Sequence, residues 1–198
     1  MWKFWLNWTL LNAFGWLLAL LLPDLGIPGA RLVAFGFIVG IAQAYAMDLR
    51  VDDFAWFISN MIGWTLGFLV AELLLLAYAP DLFAQLAGTF NIFGFILGSI
   101  CSVLFQYLAH WRTVFGGWRT VFVLAYLIPV AALAGFVGGV VYLRLTLYLP
   151  TVIDPLQNTL AVITGFVLTG AAYGLVSGLP IFTLLRVAPP SPYLAEKA

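Results

Sequence analysis

Six long apolar stretches, separated by short breaks rich in Pro, Gly, Asp and Arg, dominate this chain. They run near 5–22, 31–47, 54–78, 90–109, 121–143 and 160–185. Each is close to the ~20 apolar residues a helix needs to cross the hydrocarbon core of a bilayer. Hydrocarbon offers no partner to backbone N–H and C=O groups, so such a stretch must close its own hydrogen bonds as a helix. The expected fold is therefore an all-α integral membrane protein of about six transmembrane helices. Charge agrees with this. Only 8% of the 198 residues are charged, where a soluble chain carries about 25%.

The breaks carry turn and charge signals. They read Pro23-Asp24-Leu25-Gly26-Ile27-Pro28-Gly29, Asp48-Leu49-Arg50-Val51-Asp52-Asp53, Pro80-Asp81, His110-Trp111-Arg112 with Gly116-Gly117, and Pro150 through Pro155. The last stretch contains Pro180, which predicts a kink or a shorter span. The first stretch ends at Pro23-Asp24 without a small-residue cleavage site, so it is read as a retained span rather than a signal peptide. The tail at 188–198 is expected to be exposed and irregular.

Cations set orientation in a membrane. With six spans the two termini share a side, and that side collects Lys3, Arg50, Arg112, Arg119, Arg186 and Lys197. The other collects Arg31 and Arg144. The expectation is a bacterial cytoplasmic (inner) membrane protein with both termini cytoplasmic.

An internal pattern recurs. Trp8, Asn12, Gly15 and Trp16 are spaced W-x-x-x-N-x-x-G-W, and Trp56, Asn60, Gly63 and Trp64 repeat the spacing. A worn third copy reads Trp118, Phe122, Ala125 and Tyr126. In the even stretches, Phe35-Gly36-Phe37-Ile38-Val39-Gly40 returns as Phe93-Gly94-Phe95-Ile96-Leu97-Gly98, echoed by Gly165-Phe166-Val167. The chain is thus expected to form three tandem helix pairs, over 1–52, 53–112 and 113–187, within one membrane domain. Small residues four apart let helices approach closely in lipid. Gly15, Gly36/Gly40, Gly63/Gly67, Gly94/Gly98, Gly135/Gly139 and Gly170/Gly174/Gly178 fit that role. They would either pack helices within the chain or face partners and flat ligands.

Polar side chains inside a span are costly, so each demands a reason. At about 1.5 Å per residue, Asn12 lies ~10 Å in from Trp5, Asn60 ~9 Å from Phe54, Gln43 ~7 Å from Asp48 and Gln106 ~9 Å from Arg112. The four amides should form a belt at one depth. As interhelical glue they would bond to one another; as a site they would face a small molecule or ligate the magnesium of a chlorophyll-type pigment. Glu72, near the far interface, could snorkel to water, pair with Arg144 or Arg31, or couple to a cation. His110, at the end of the fourth stretch, reads as an interfacial residue or as a pigment or haem ligand.

Several chemistries lack their residues. Cys101 is the only cysteine and His110 the only histidine, so a disulfide framework and a protein-ligated metal cluster have no ligands. No phosphate-binding loop or zincin motif is present, nor are the NPA boxes of water channels or the P-x-[DE]-x-x-[KR] boxes of mitochondrial carriers. A net charge of zero gives no reason to expect nucleic acid.

The W-x-x-x-N-x-x-G-W helix followed by a Gly-rich helix ending in Gln43 or Gln106 resembles a group of uncharacterised multi-spanning bacterial membrane proteins frequent in phototrophic bacteria. Trp8, Asn12, Gly15, Trp16, Gln43, Trp56, Asn60, Gly63, Trp64 and Gln106 carry the resemblance, which covers most of 5–186. It implies a subunit of a photosynthetic membrane complex. The expected function is that of a non-catalytic accessory subunit of a larger membrane complex, such as a reaction centre with its light-harvesting antenna. It would contact membrane lipids and other subunits and hold lipid, quinone, carotenoid or chlorophyll-type pigment. The alternative is a small-molecule transporter or its membrane-embedded substrate-binding component, in which the amides would line a cavity.

Overall fold

The computed structural model describes residues 2–20, 30–47, 53–86, 91–111, 119–147 and 155–187. The side chains at 19, 20, 30, 31, 47, 53, 86, 110, 111, 119, 120, 145–147, 155–159, 161, 179, 180 and 182–187 are excepted. Apart from Ala79 and Asn91, every described residue is helical. The helices are α1 (Trp2–Leu20), α2 (Ala30–Met47), α3 (Asp53–Tyr78), α4 (Pro80–Leu86), α5 (Ile92–Gln106), α6 (Arg119–Leu147) and α7 (Pro155–Val187). A π-helical turn, Tyr107–Trp111, continues α5. The breaks at 23–29, 48–52 and 112–118, Pro150, the 188–198 tail and the side chains of Arg31, Arg50, Arg112, Arg119, Arg186 and Lys197 lie outside the described residues.

The chain is a membrane protein with several candidate transmembrane helices. Among the described residues, three stretches are long and apolar enough to cross a bilayer: Phe54–Tyr78, Ile92–Ala109 and Val121–Arg144. Leu32–Ala46 and Val162–Gly178 are shorter apolar helices. Among the described residues α1 is not one of these.

Local chemistry explains the helix ends. Asn91 caps α5: its backbone is extended and its Oδ1 accepts from Gly94 N at 2.8 Å, satisfying one of the donors a helix start leaves open. Pro155 stands first in α7, where a missing N–H costs nothing. The Pro80-Asp81 break is itself a short helix, α4, for the same reason: Pro80 takes its first position and Asp81 its first turn. Pro129 lies inside α6, and Pro180 inside α7. Each removes a helical hydrogen bond, from the carbonyls of Ala125 and Val176.

The six long helices close into a ring. α1 packs on α2, α2 on α3, α3 on α5, α5 on α6, α6 on α7 and α7 on α1. Across the centre large side chains reach between helices that are not neighbours in the ring: Trp16 stacks on Phe95 and meets Trp64 edge-on. Large apolar side chains such as Leu10, Phe14, Leu73, Leu133 and Leu168 cover the outside. The centre holds two apolar layers. One gathers Trp16, Phe35, Val39, Trp64, Phe68, Phe95, Ala134, Phe166 and Tyr173. The other gathers Trp8, Ala44, Ala46, Trp56, Tyr107, Leu127 and Ile181.

Glycines set the helix spacing. A Cβ on Gly67 would run into the backbone of Gly98, and one on Gly63 into the backbone of Ser102, so α3 and α5 meet backbone to backbone. Gly36 and Gly40 face the backbone of Met61 and Phe57 at 2.9 and 2.8 Å from a built Cβ, and Gly174 faces Thr9 at 2.9 Å. Gly15, Gly94, Gly135, Gly139, Gly170 and Gly178 likewise face atoms of this chain.

The recurring patterns divide in the structure. Trp8, Asn12 and Trp16 are fully buried, and so are Trp56, Asn60 and Trp64. The worn copy does not follow them inward: Phe122 is 67% and Tyr126 41% exposed, and Trp118 is outside the described residues. α6 instead turns Leu127, Ala131 and Ala134 to the centre. The even strings also differ. Phe35 is buried and Phe37 exposed, whereas Phe93 is exposed and Phe95 buried. The neighbours differ accordingly. Gly94 and Gly98 receive the rings of Phe68 and Trp64, while Gly36 and Gly40 receive backbone.

Candidate functional site

Between the two apolar layers lies a layer of buried polar side chains. On α1 and α3 it is placed by the Trp-x-x-x-Asn spacing, since residues four apart lie one above the other on a helix face. Asn12 Nδ2 donates to Trp8 O at 2.8 Å, and Asn60 Nδ2 donates to Trp56 O at 3.2 Å. Each Asn therefore bonds back along its own helix. That fixes the amide and leaves Oδ1 to accept from a neighbouring helix.

Both acceptors are used. Gln43 Nε2 donates to Asn12 Oδ1 at 2.8 Å, joining α2 to α1. Ser102 Oγ donates to Asn60 Oδ1 at 2.8 Å, joining α5 to α3. Gln106 Nε2 spans the two halves with longer bonds, 3.5 Å to Gln43 Oε1 and 3.4 Å to Ser102 Oγ. On α7 the Tyr173 hydroxyl accepts from Ser99 Oγ at 3.4 Å. Also on α7, Ser177 Oγ accepts from Trp8 Nε1 at 3.0 Å. Five helices thus share one network, and Trp5 adds a bond from its indole to Leu175 O at 3.1 Å.

The structure therefore brings Asn12, Gln43, Asn60 and Gln106 together, all buried. Glu72 is elsewhere: it is half-buried on α3, about 18 Å along the helix from Asn60. His110 belongs to the π-helical turn, and its side chain is outside the described residues. Sequence reasoning missed Ser99, Ser102, Tyr173 and Ser177. A signal for them existed. Ser99, Ser102 and Gln106 follow a helical face on α5, and Tyr173 and Ser177 are four apart on α7.

The layer has no carboxylate, amine or imidazole among its described members. No group of three His, Cys, Asp or Glu could hold a metal ion among the described residues. The remaining polar oddity is in the aromatic layer above. Trp16 and Trp64 are fully buried, and their indole N–H groups have no hydrogen-bond partner among the described residues. They lie edge-on to Phe35, with ring centroids 4.9 and 5.2 Å away, and perpendicular to each other at 6.1 Å.

Comparison with protein-family models, with curated proteins and with solved structures finds no match.

Proposed function

We propose that this chain is a non-catalytic, multi-spanning accessory subunit of a larger membrane complex, with all six long helices of the ring crossing the bilayer. The observation that carries the reading is the mutual bonding of the buried amides. Asn12, Gln43, Asn60, Ser102 and Gln106 bond to one another and to their own helices, rather than converging on a space where a substrate would react. Such groups tie helices together in lipid, each bond worth roughly 0.6 to 2 kcal/mol. α1–α2 and α3–α5 are then two copies of one helix-pair unit, supported by the equal burial and equal back-bonding of Asn12 and Asn60.

With the amides engaged inside the ring, the working surface is its outside. Its apolar side chains suit lipid, neighbouring helices, and flat apolar ligands such as quinone, carotenoid or chlorophyll-type pigment. The resemblance to proteins of phototrophic bacteria makes a reaction centre with its antenna the complex to look for, in the cytoplasmic membrane with both termini inside. Mild-detergent purification from the native membrane, with mass and absorption spectrum taken on one peak, tests this. Migration with a large pigmented assembly is the expected result. A lone, colourless chain of 21.7 kDa plus detergent would overturn it and favour the transporter reading.

A further inference from the structure

The outward face of α6 carries a hydrogen-bond acceptor and a donor that cannot serve each other within one chain. Pro129 is exposed and has no N–H, so the carbonyl of Ala125 loses its helical donor. Ala125 is exposed as well, and residues four apart share a helix face. The next residue, Tyr126, is also exposed, and nothing among the described residues bonds its hydroxyl. The rigid ring holds that hydroxyl away from the backbone of its own helix. Ala125 lies about 6 Å in from Val121, where the span begins. Hydrocarbon supplies neither a donor to the carbonyl nor an acceptor to the hydroxyl.

The surrounding residues are those of a helix contact. In the W-x-x-x-N-x-x-G-W spacing, Ala125 stands where α1 has Gly15 and α3 has Gly63. Gly15 faces Val39 and Ala42 of α2, and Gly63 faces the backbone of Ser102 on α5. Both are points of close approach to a neighbouring helix. On α6 the same position turns out of the ring. The exposed rings of Phe122 and Phe136 stand at either end of this face, with the small Ala125 and Pro129 between them.

We propose that two copies of this chain pair through the outer face of α6, the Tyr126 hydroxyl of each donating to the Ala125 carbonyl of the other. Symmetry selects the occupant. Copies insert the same way up, so the twofold axis relating them runs along the membrane normal and brings equal depths together. Donor and acceptor lie on neighbouring residues, at nearly equal depth. A second copy therefore satisfies both groups at once and makes the bond twice. The small residues at 125 and 129 let the two helices approach closely. This pairing needs no other protein, so it stands apart from the accessory-subunit reading.

Cysteine cross-linking of the full chain in proteoliposomes tests the pairing. A disulfide forms only where two Cα atoms lie within about 7 Å. In a Cys101→Ser background, Ala125→Cys should oxidise to a covalent dimer at least about tenfold faster than Leu10→Cys, an exposed position on α1. Resonance energy transfer between labelled copies, diluted with lipid, then reads affinity. Tyr126→Phe removes the donor, and Pro129→Ala returns a helical donor to the Ala125 carbonyl. Each should weaken pairing at least about tenfold, and the double variant no further, because both break the same bond. Should Pro129→Ala fail to fold, Tyr126→Phe decides alone, since it alters only an exposed side chain. A chain that stays monomeric at every protein-to-lipid ratio overturns the proposal. So does equal oxidation at 125 and 10, or a dimer indifferent to Tyr126→Phe. A cross-link from position 125 to an unlike protein in the native membrane also overturns it and gives the face to another subunit.

Discussion

Gln43 and Asn12 join α2 to α1 through a 2.8 Å bond from Nε2 to Oδ1, and that bond exists because Asn12 already donates to Trp8 O. An Asn four residues after its acceptor spends its N–H on its own helix and presents oxygen to the next. The geometry makes the two residues energetically coupled. A double-mutant cycle of Asn12→Leu and Gln43→Leu, followed by thermal unfolding in detergent, should return a coupling of about 0.6 to 1.7 kcal/mol, the range for hydrogen bonds between membrane helices. Additive losses would remove the amide tie from the account.

The same logic separates two tryptophans. Trp8 Nε1 donates to Ser177 Oγ, whereas Trp64 Nε1 has no partner among the described residues. Trp8→Phe should therefore cost about 1 kcal/mol beyond its lost volume, and this excess should disappear in a Ser177→Ala background. Trp64→Phe should show no excess of that kind. Unfolding midpoints of the four proteins, set beside the unaltered chain, check the contrast.

Much of this layer was legible from residue spacing, and the reason is local. The Trp-x-x-x-Asn bond lies within one helix turn, so a single strand of sequence contains both partners. Depth along each helix then put Asn12, Asn60, Gln43 and Gln106 at one level. What spacing could not supply is rotation of one helix against another. Phe35-Gly36-Phe37 and Phe93-Gly94-Phe95 are the same string, yet Phe35 and Phe95 are the buried members. The phase is decided by Phe68 and Trp64 seating on Gly94 and Gly98, a contact between helices. The 122–126 stretch shows the same limit: α6 turns Leu127, Ala131 and Ala134 inward and leaves Phe122 and Tyr126 exposed. Ser102 and Tyr173 went unseen because hydroxyls are common in spans and matter only once a partner faces them.

Glycine substitutions should sort by what a Cβ would meet. On Gly67 it would meet the backbone of Gly98, which has no flexible end to move aside. On Gly138 it would lie 3.6 Å from Tyr173 Cβ, an ordinary contact. Gly67→Ala should cost about 1 to 3 kcal/mol through forced separation of α3 and α5. Gly138→Ala should be neutral or stabilising, by up to about 1 kcal/mol from the helix preference of Ala over Gly. Because both replacements add the same methyl group to the same kind of backbone, the difference isolates interhelical distance. Unfolding in detergent followed by far-ultraviolet circular dichroism reads it directly, and equal effects at the two positions would mean that α3 and α5 do not meet at Gly67 and Gly98.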